Sequence, residues 1–246
     1  MIRIAKRILS PTAINTYLAC PYKFYRRYIA KESTRPSIHL IRGSLVHQAI
    51  SDFHRIAHEA LNKMPLNRVI HELLSRFDEL WLEASDQIEM LNLSSERIDF
   101  FADDSKRMLE NFAVWFHAKT VEAAASSEVK LFSPGLKLMG IIDAVYKQGD
   151  SILLVDYKTS KSTQITRDMF RQAAIYALLY QDRYKKVPEA VAIHFLTARQ
   201  GLEPIQVDDA MLDYARILSE SVHAKTLSED PADYPCTCNG RCREDF

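Results

Sequence analysis

Two acidic residues and a lysine, Asp143, Asp156 and Lys158, are the part of this chain best suited to chemistry. They fall on two predicted strands, 136–147 and 151–158, joined by Gly149-Asp150. With that dipeptide as the whole loop, Gln148 pairs with Ser151, and counting back sets Asp143 directly opposite Asp156. Facing side chains on antiparallel strands have Cβ atoms about 4.5–5.5 Å apart, close enough for two carboxylates to hold one divalent cation. Lys158 lies two residues past Asp156 and points to the same face. A metal-binding acid pair with an ammonium beside it suits the hydrolysis of a phosphodiester.

The neighbours of these residues sharpen the reading. Asp156 ends the apolar run Ile152-Leu153-Leu154-Val155, where a carboxylate is costly unless paired or bound to metal. A plain salt bridge with Lys158 is the bland alternative. Asp143 follows Gly140-Ile141-Ile142 and is similarly embedded. Glu128, at the start of a strand over 128–132, adds a third oxygen ligand or is an exposed strand-edge acid. His47 adds a nitrogen ligand, which Mn²⁺ tolerates more readily than Mg²⁺ does, or is a structural helical histidine. Gln172 and Tyr176 share a face of the helix predicted over 168–184 and can together orient a phosphate, an attacking water or Lys158.

These residues need elements to position them. Ser10-Pro11 reads as an N-cap followed by proline at the first helical position, with a helix through Ile14, Tyr17 and Leu18 ending near Cys20-Pro21. A short helix through Tyr25 and Tyr28 and a polar connector over 31–38 follow. Gly43-Ser44 opens a long helix carrying Leu45, Val46, His47, Ile50, Phe53 and Ile56. Helical tracts over 67–92 and 95–121 carry buried stripes at Leu73/Phe77/Leu80 and Met108/Phe112/Trp115/Phe116. After the strands come a strand at 189–197, a partner at 202–207 and a helix over 209–225. The expected organisation is one domain over 1–246. It divides into a basic helical segment (1–40), a helical insertion (50–125), a catalytic sheet core (126–207) and a final helix with a cysteine-rich tail (208–246).

With 246 residues, 47% hydrophobic and 26% charged, the chain has the composition of a soluble globular protein. No apolar run approaches membrane-spanning length, and the first ten residues lack a signal-peptide pattern, which implies a cytoplasmic protein with no membrane partner. The zero net charge conceals an asymmetry. Residues 1–35 hold eight Lys/Arg against one acid, +7, leaving −7 on the remainder. Lys23, Arg26, Arg27 and Lys31, interleaved with tyrosines, can neutralise phosphates and stack on bases; the alternative is a helix with core aromatics and solvated cations. Cys20 stands alone, whereas Cys236, Cys238 and Cys242 cluster. In a reducing compartment four such thiolates suit an iron–sulfur cluster or structural Zn²⁺. Either would join the chain ends across about 216 residues, a restraint worth on the order of 5 kcal/mol by loop closure.

Taken together, five segments resemble the RecB-like branch of the PD-(D/E)xK nuclease superfamily, and within it the CRISPR-associated iron–sulfur exonucleases. They are the run Ser10 to Pro21, Arg42-Gly43-Ser44-Leu45-Val46-His47, Gly140-Ile141-Ile142-Asp143, Asp156-Tyr157-Lys158-Thr159-Ser160, and Gln172-Ala173-Ala174-Ile175-Tyr176. Each is weak alone, but they occur in family order. The resemblance implies an α/β, restriction-endonuclease-like fold with a mixed central sheet flanked by helices. Its active site would comprise His47, Asp143, Asp156 and Lys158, with Glu128 as an added acid and Gln172 and Tyr176 on the following helix. Mg²⁺ or Mn²⁺ would serve catalysis, and the four cysteines would bind a 4Fe-4S cluster; the spacing Cys236-x-Cys238-x₃-Cys242 is tighter than the family's usual one. The implied activity is metal-dependent cleavage of DNA, in particular single-stranded DNA from an end, in CRISPR spacer acquisition or repair beside integrase or repair partners. The competing readings are a non-catalytic DNA-binding adaptor and a structural subunit of such a complex.

Overall fold

The computed structural model describes residues 7–55, 64–118, 126–199 and 201–243. Its centre is a five-stranded mixed sheet in the order β1-β2-β3-β4-β5. The strands are β1 (Ser126–Ser133), β2 (Leu138–Gln148), β3 (Ser151–Lys158), β4 (Ala190–Phe195) and β5 (Glu203–Gln206). β3 runs antiparallel to β2 and parallel to β4, the crossover being a helix over Arg167–Tyr184. All six β4 residues are buried, as expected of a strand covered on both faces.

The β2–β3 hairpin has the expected register. Gln148 pairs with Ser151, with Gly149 at φ +58° supplying the left-handed turn, and the ladder continues to Ala144 opposite Val155. By count Asp143 comes next, opposite Asp156, but the backbone ladder stops one step short of that pair.

Before the sheet come α1 (Pro11–Ala19), α2 (Pro21–Phe24) with a π-helical turn over Tyr25–Ile29, α3 (Ile38–Arg55), α4 (Leu66–Glu83), α5 (Ser85–Glu89) and α6 (Ser95–Ala118). After β3 come α7 (Arg167–Tyr184) and α8 (Asp209–Lys225). Caps explain several boundaries. Ser10 Oγ accepts from the Ala13 N–H at 3.1 Å with Pro11 behind it, and Asp208 caps α8 through the Met211 N–H at 2.7 Å.

Two expectations need correction. The helix expected to open at Gly43-Ser44 begins at Ile38, so Gly43 lies inside it. A Cβ there would stand 3.2 Å from Thr159 Oγ1, and close approach of the loop after β3 is the better reason for that glycine. The tract over 67–92 is two helices: α4 ends at Glu83, and after α5 the chain turns at Asn92, whose φ of +51° ends helical geometry. Ile56 and the end of the 95–121 tract lie outside the described residues.

The layers explain the sequence stripes. On one face of the sheet, α7, α8 and the N-terminal helices bury Ile14, Phe24, Ile142, Leu154, Ile175 and Leu212 together. On the other, α3, α4 and α6 bury Ile50, Leu73, Phe77, Met108 and Phe112 against Ala144, Val155 and Tyr157. α3, α4 and α6 thus form a covering layer of the sheet, and Ala173 to Tyr180 of α7 are all buried, as in a helix packed on every side. Among the described residues no helix is long and apolar enough to cross a membrane.

Phe112 is fully buried and meets Phe53, His54, Trp115, Phe116, Tyr157 and His194. Phe112→Ala is expected to cost about 3–5 kcal/mol, measured by urea denaturation. A loss below ~1 kcal/mol would mean that α6 does not depend on this contact to pack on the sheet.

Candidate active site

Where β2 and β3 part, a side chain takes over from the backbone. Asp143 Oδ2 accepts the Tyr157 N–H at 2.8 Å, occupying a donor that faces β2 beyond the end of the ladder. Asp143 Oδ1 lies 3.2 Å from Nδ1 of His47, which α3 brings in from the opposite layer. Burial alone would lower the His47 pKa, but the Asp143 carboxylate and the hydrogen bond to it outweigh burial and raise it. Burial would likewise raise Asp143, yet His47, the Tyr157 N–H and Lys158 hold it below the ordinary carboxylate range. Each group favours the charged form of the other.

Asp156 is 4% exposed and sits in a second network. Lys158 Nζ is 2.6 Å from Asp156 Oδ2, a buried ion pair. Gln172 of α7 closes the circuit. Its Nε2 donates to Asp156 Oδ1 at 3.0 Å and to the Tyr176 hydroxyl at 2.8 Å, while its Oε1 accepts from Lys158 at 2.8 Å. Burial raises the Asp156 pKa and the neighbouring Asp143 carboxylate adds to the rise, against the pull of Lys158. Burial and both carboxylates push Tyr176 well above its ordinary value, so its hydroxyl keeps its proton.

Six sequence-predicted residues therefore meet at one place: His47, Asp143, Asp156, Lys158, Gln172 and Tyr176. Glu128 does not share their hydrogen bonds. It has a φ of +48° that interrupts the β1–β2 pairing, and its carboxylate is bound by Arg55 at 3.2 Å. Of the N-terminal cations, Arg26 is paired with Glu32 at 2.5 Å, Arg27 is exposed with its guanidinium 5.7 Å from the Tyr28 ring, and Lys31 is exposed at φ +56°. Lys23 also lies on this segment, half-buried.

The carboxylates fit a divalent cation. Two carboxylates buried side by side, the Asp143 charge raising the Asp156 pKa, are relieved by a cation bound between them, and Lys158 Nζ at 2.6 Å from Asp156 Oδ2 supplies only part of that charge. Cys20, Cys236, Cys238 and Cys242 converge separately, their ligand atoms all within 4.8 Å of one another, in a set that can coordinate metal.

Three contributors carried no warning in sequence or only a faint one. Arg42 is 3% exposed, ion-paired to Asp104, and donates to the Thr159 carbonyl at 3.3 Å, anchoring the exit of β3. A lone arginine inside a helix is indistinguishable in sequence from a surface residue. Tyr146, Tyr157 and His54 form a buried polar knot beneath the site, with 3.2 Å between the two hydroxyls and 3.1 Å from Tyr157 to His54 Nε2. Gly140 did carry a signal. Glycine inside an apolar strand implies close approach, and a Cβ there would lie 2.9 Å from Tyr176 Cε1 and 3.1 Å from Leu179 Cδ1.

Comparison with known proteins adds the following. The model of the PD-(D/E)XK nuclease superfamily matches residues 8–243. A crystal structure of a presumed exonuclease from Eubacterium rectale superposes with a TM-score of 0.59 at 12% identity, covering 98% of this chain and 89% of that one. At that identity the likeness concerns fold alone. No curated protein matches the chain.

Gly140→Ala is expected to destabilise by about 1–3 kcal/mol through overpacking against Tyr176. In a Tyr176→Ala background most of that penalty should vanish, so a double-mutant cycle by urea denaturation should be strongly non-additive. Additive losses would show that the Tyr176 ring is not the obstacle.

Proposed function

We propose that this chain, which belongs to the PD-(D/E)XK nuclease superfamily, is a metal-dependent deoxyribonuclease that hydrolyses phosphodiester bonds, with single-stranded DNA ends as its substrate. One observation carries the reading: Asp143 and Asp156 are brought together at the parting of two strands, with the Lys158 ammonium 2.6 Å from a buried Asp156 oxygen. A solely structural ion pair would not require the second carboxylate, the histidine and the glutamine that converge on the same point.

Asp143 and Asp156 would hold Mg²⁺ or Mn²⁺, with His47 as a nitrogen donor. A divalent ion there supplies Lewis-acid stabilisation of charge on a phosphate and lowers the pKa of bound water. The chain's own residues do the rest. Lys158, held by Gln172, presents a positive charge fixed beside Asp156, suited to positioning water or neutralising charge that develops on the phosphate. Gln172 sets the orientation of both Lys158 and Asp156, and Tyr176 fixes Gln172. Arg27 and Lys31 are exposed on the basic N-terminal segment and are suited to phosphate contacts away from the reacting bond. A role in CRISPR spacer acquisition or in DNA repair is compatible with that substrate.

The test is digestion of end-labelled single strands, duplexes and circles with Mn²⁺ or Mg²⁺. Asp143→Ala and Asp156→Ala should abolish cleavage while leaving DNA binding largely intact. Lys158→Ala should also be inactive yet still bind Mn²⁺ in a calorimetric titration, because an ammonium is no ligand to a cation. Gln172→Ala should lose about 10–100-fold, the usual cost of removing a group that orients a metal ligand. Wild-type protein that binds strands and never cuts them would make this an adaptor, and Lys158→Ala that loses Mn²⁺ as severely as Asp156→Ala would give the lysine a structural role.

The basic segment has its own measurement. Arg27→Ala combined with Lys31→Ala should weaken single-strand binding and flatten its salt dependence by about 0.7 units of slope per lost phosphate contact. An unchanged slope would mean these cations are only a solvated face.

A further inference from the structure

The four thiols are spaced for a single ion. Their ligand atoms all lie within 4.8 Å of one another, with Cys236 Sγ 3.7 Å from Cys238 Sγ and 3.5 Å from Cys242 Sγ. Around one zinc ion, with Zn–S bonds of about 2.3 Å, the edges of the sulfur tetrahedron are about 3.8 Å. In a 4Fe-4S cubane each thiolate binds a different iron, so the thiolate sulfurs stand apart by two Fe–S bonds as well as an iron–iron edge. A tetrahedron with no edge longer than 4.8 Å has no room for four irons and four sulfides.

Local structure builds this compact geometry from both ends of the chain. The Cys236-x-Cys238 spacing places two sulfurs side by side. Asn239 and Gly240, at φ +53° and +83°, then reverse the chain and return Cys242, whose N–H points at Cys238 Sγ from 3.2 Å. Such an N–H offsets thiolate charge from the second shell. Cys20 arrives from the α1–α2 junction, where Thr237 Oγ1 donates to the Ala19 carbonyl at 3.2 Å. Cys20 and Cys242 are buried and all four cysteines are free. Four protein sulfurs leave no open position, as in a structural site.

We propose that Cys20, Cys236, Cys238 and Cys242 hold one tetrahedral thiophilic ion of the zinc class, a structural staple between the chain ends, in place of the iron–sulfur cluster that the family resemblance implies. The site is separate from the carboxylates, so the proposal stands or falls independently of nuclease activity. The full chain should be purified anaerobically from cells supplied with both iron and zinc, then analysed for metals and acid-labile sulfide. The expected result is one zinc per chain, no sulfide and a colourless protein. Titration of metal-stripped protein with Co²⁺ should give tetrahedral thiolate absorption that saturates at one equivalent, and Cys238→Ser should shift that spectrum. Several irons per chain with matching sulfide and broad visible absorbance would overturn the proposal. So would wild-type protein that carries no metal and fails to take up Co²⁺.

Discussion

The bond from the Tyr157 N–H to the Asp143 carboxylate is the constraint on which the candidate site depends. Up to Ala144 and Val155 the two strands satisfy each other through the backbone. Beyond that point β3 keeps β4 as a partner through Lys158 but loses β2. A buried N–H without an acceptor costs about 1–3 kcal/mol, so something must replace the missing carbonyl. The replacement is a carboxylate, which both seals the end of the ladder and leaves its other oxygen directed at His47.

That solution brings a second difficulty, two carboxylates close together in a poorly solvated place. The surrounding cations offset it unequally. His47, the Tyr157 N–H and Lys158 hold Asp143 ionised, whereas burial and the proximity of Asp143 drive Asp156 toward its protonated form. Opposite shifts in two adjacent acids mark a site where positive charge is in demand. Lys158 meets part of that demand, its ammonium held between Asp156 and the Gln172 side-chain carbonyl.

The termini support the same place from behind. Cys20 caps the junction after α1, and the C-terminal cysteines close on it. Tyr234 packs on Phe24 and Tyr25, extending the clamp into the core. Asn15 of α1 donates to the Asp168 carbonyl at 3.0 Å and Arg171 reaches Asn15 Oδ1 at 3.4 Å, bracing the turn of α7 that carries Gln172. The cysteine site and the carboxylates are thus linked through one helix, although they share no ligand.

How much was legible in the sequence follows from the range of the forces involved. Alternation, caps and the Gly149-Asp150 turn are local. They determined the hairpin and its register, hence the approach of Asp143 to Asp156, as well as the bounds of α7 and α8. The i,i+4 spacing likewise determined that Gln172 and Tyr176 share a face. Only the tertiary structure decided that His47 reaches Asp143 across 96 positions of chain and that Arg42 clamps the Thr159 carbonyl. It also decided that Glu128 turns to Arg55, and that α3, α4 and α6 cover the sheet. The convergence of the four cysteine sulfurs from both ends of the chain belongs with these. The physical reason is common to all of them: they depend on packing between layers and on side-chain partners distant in sequence, which local propensity cannot specify.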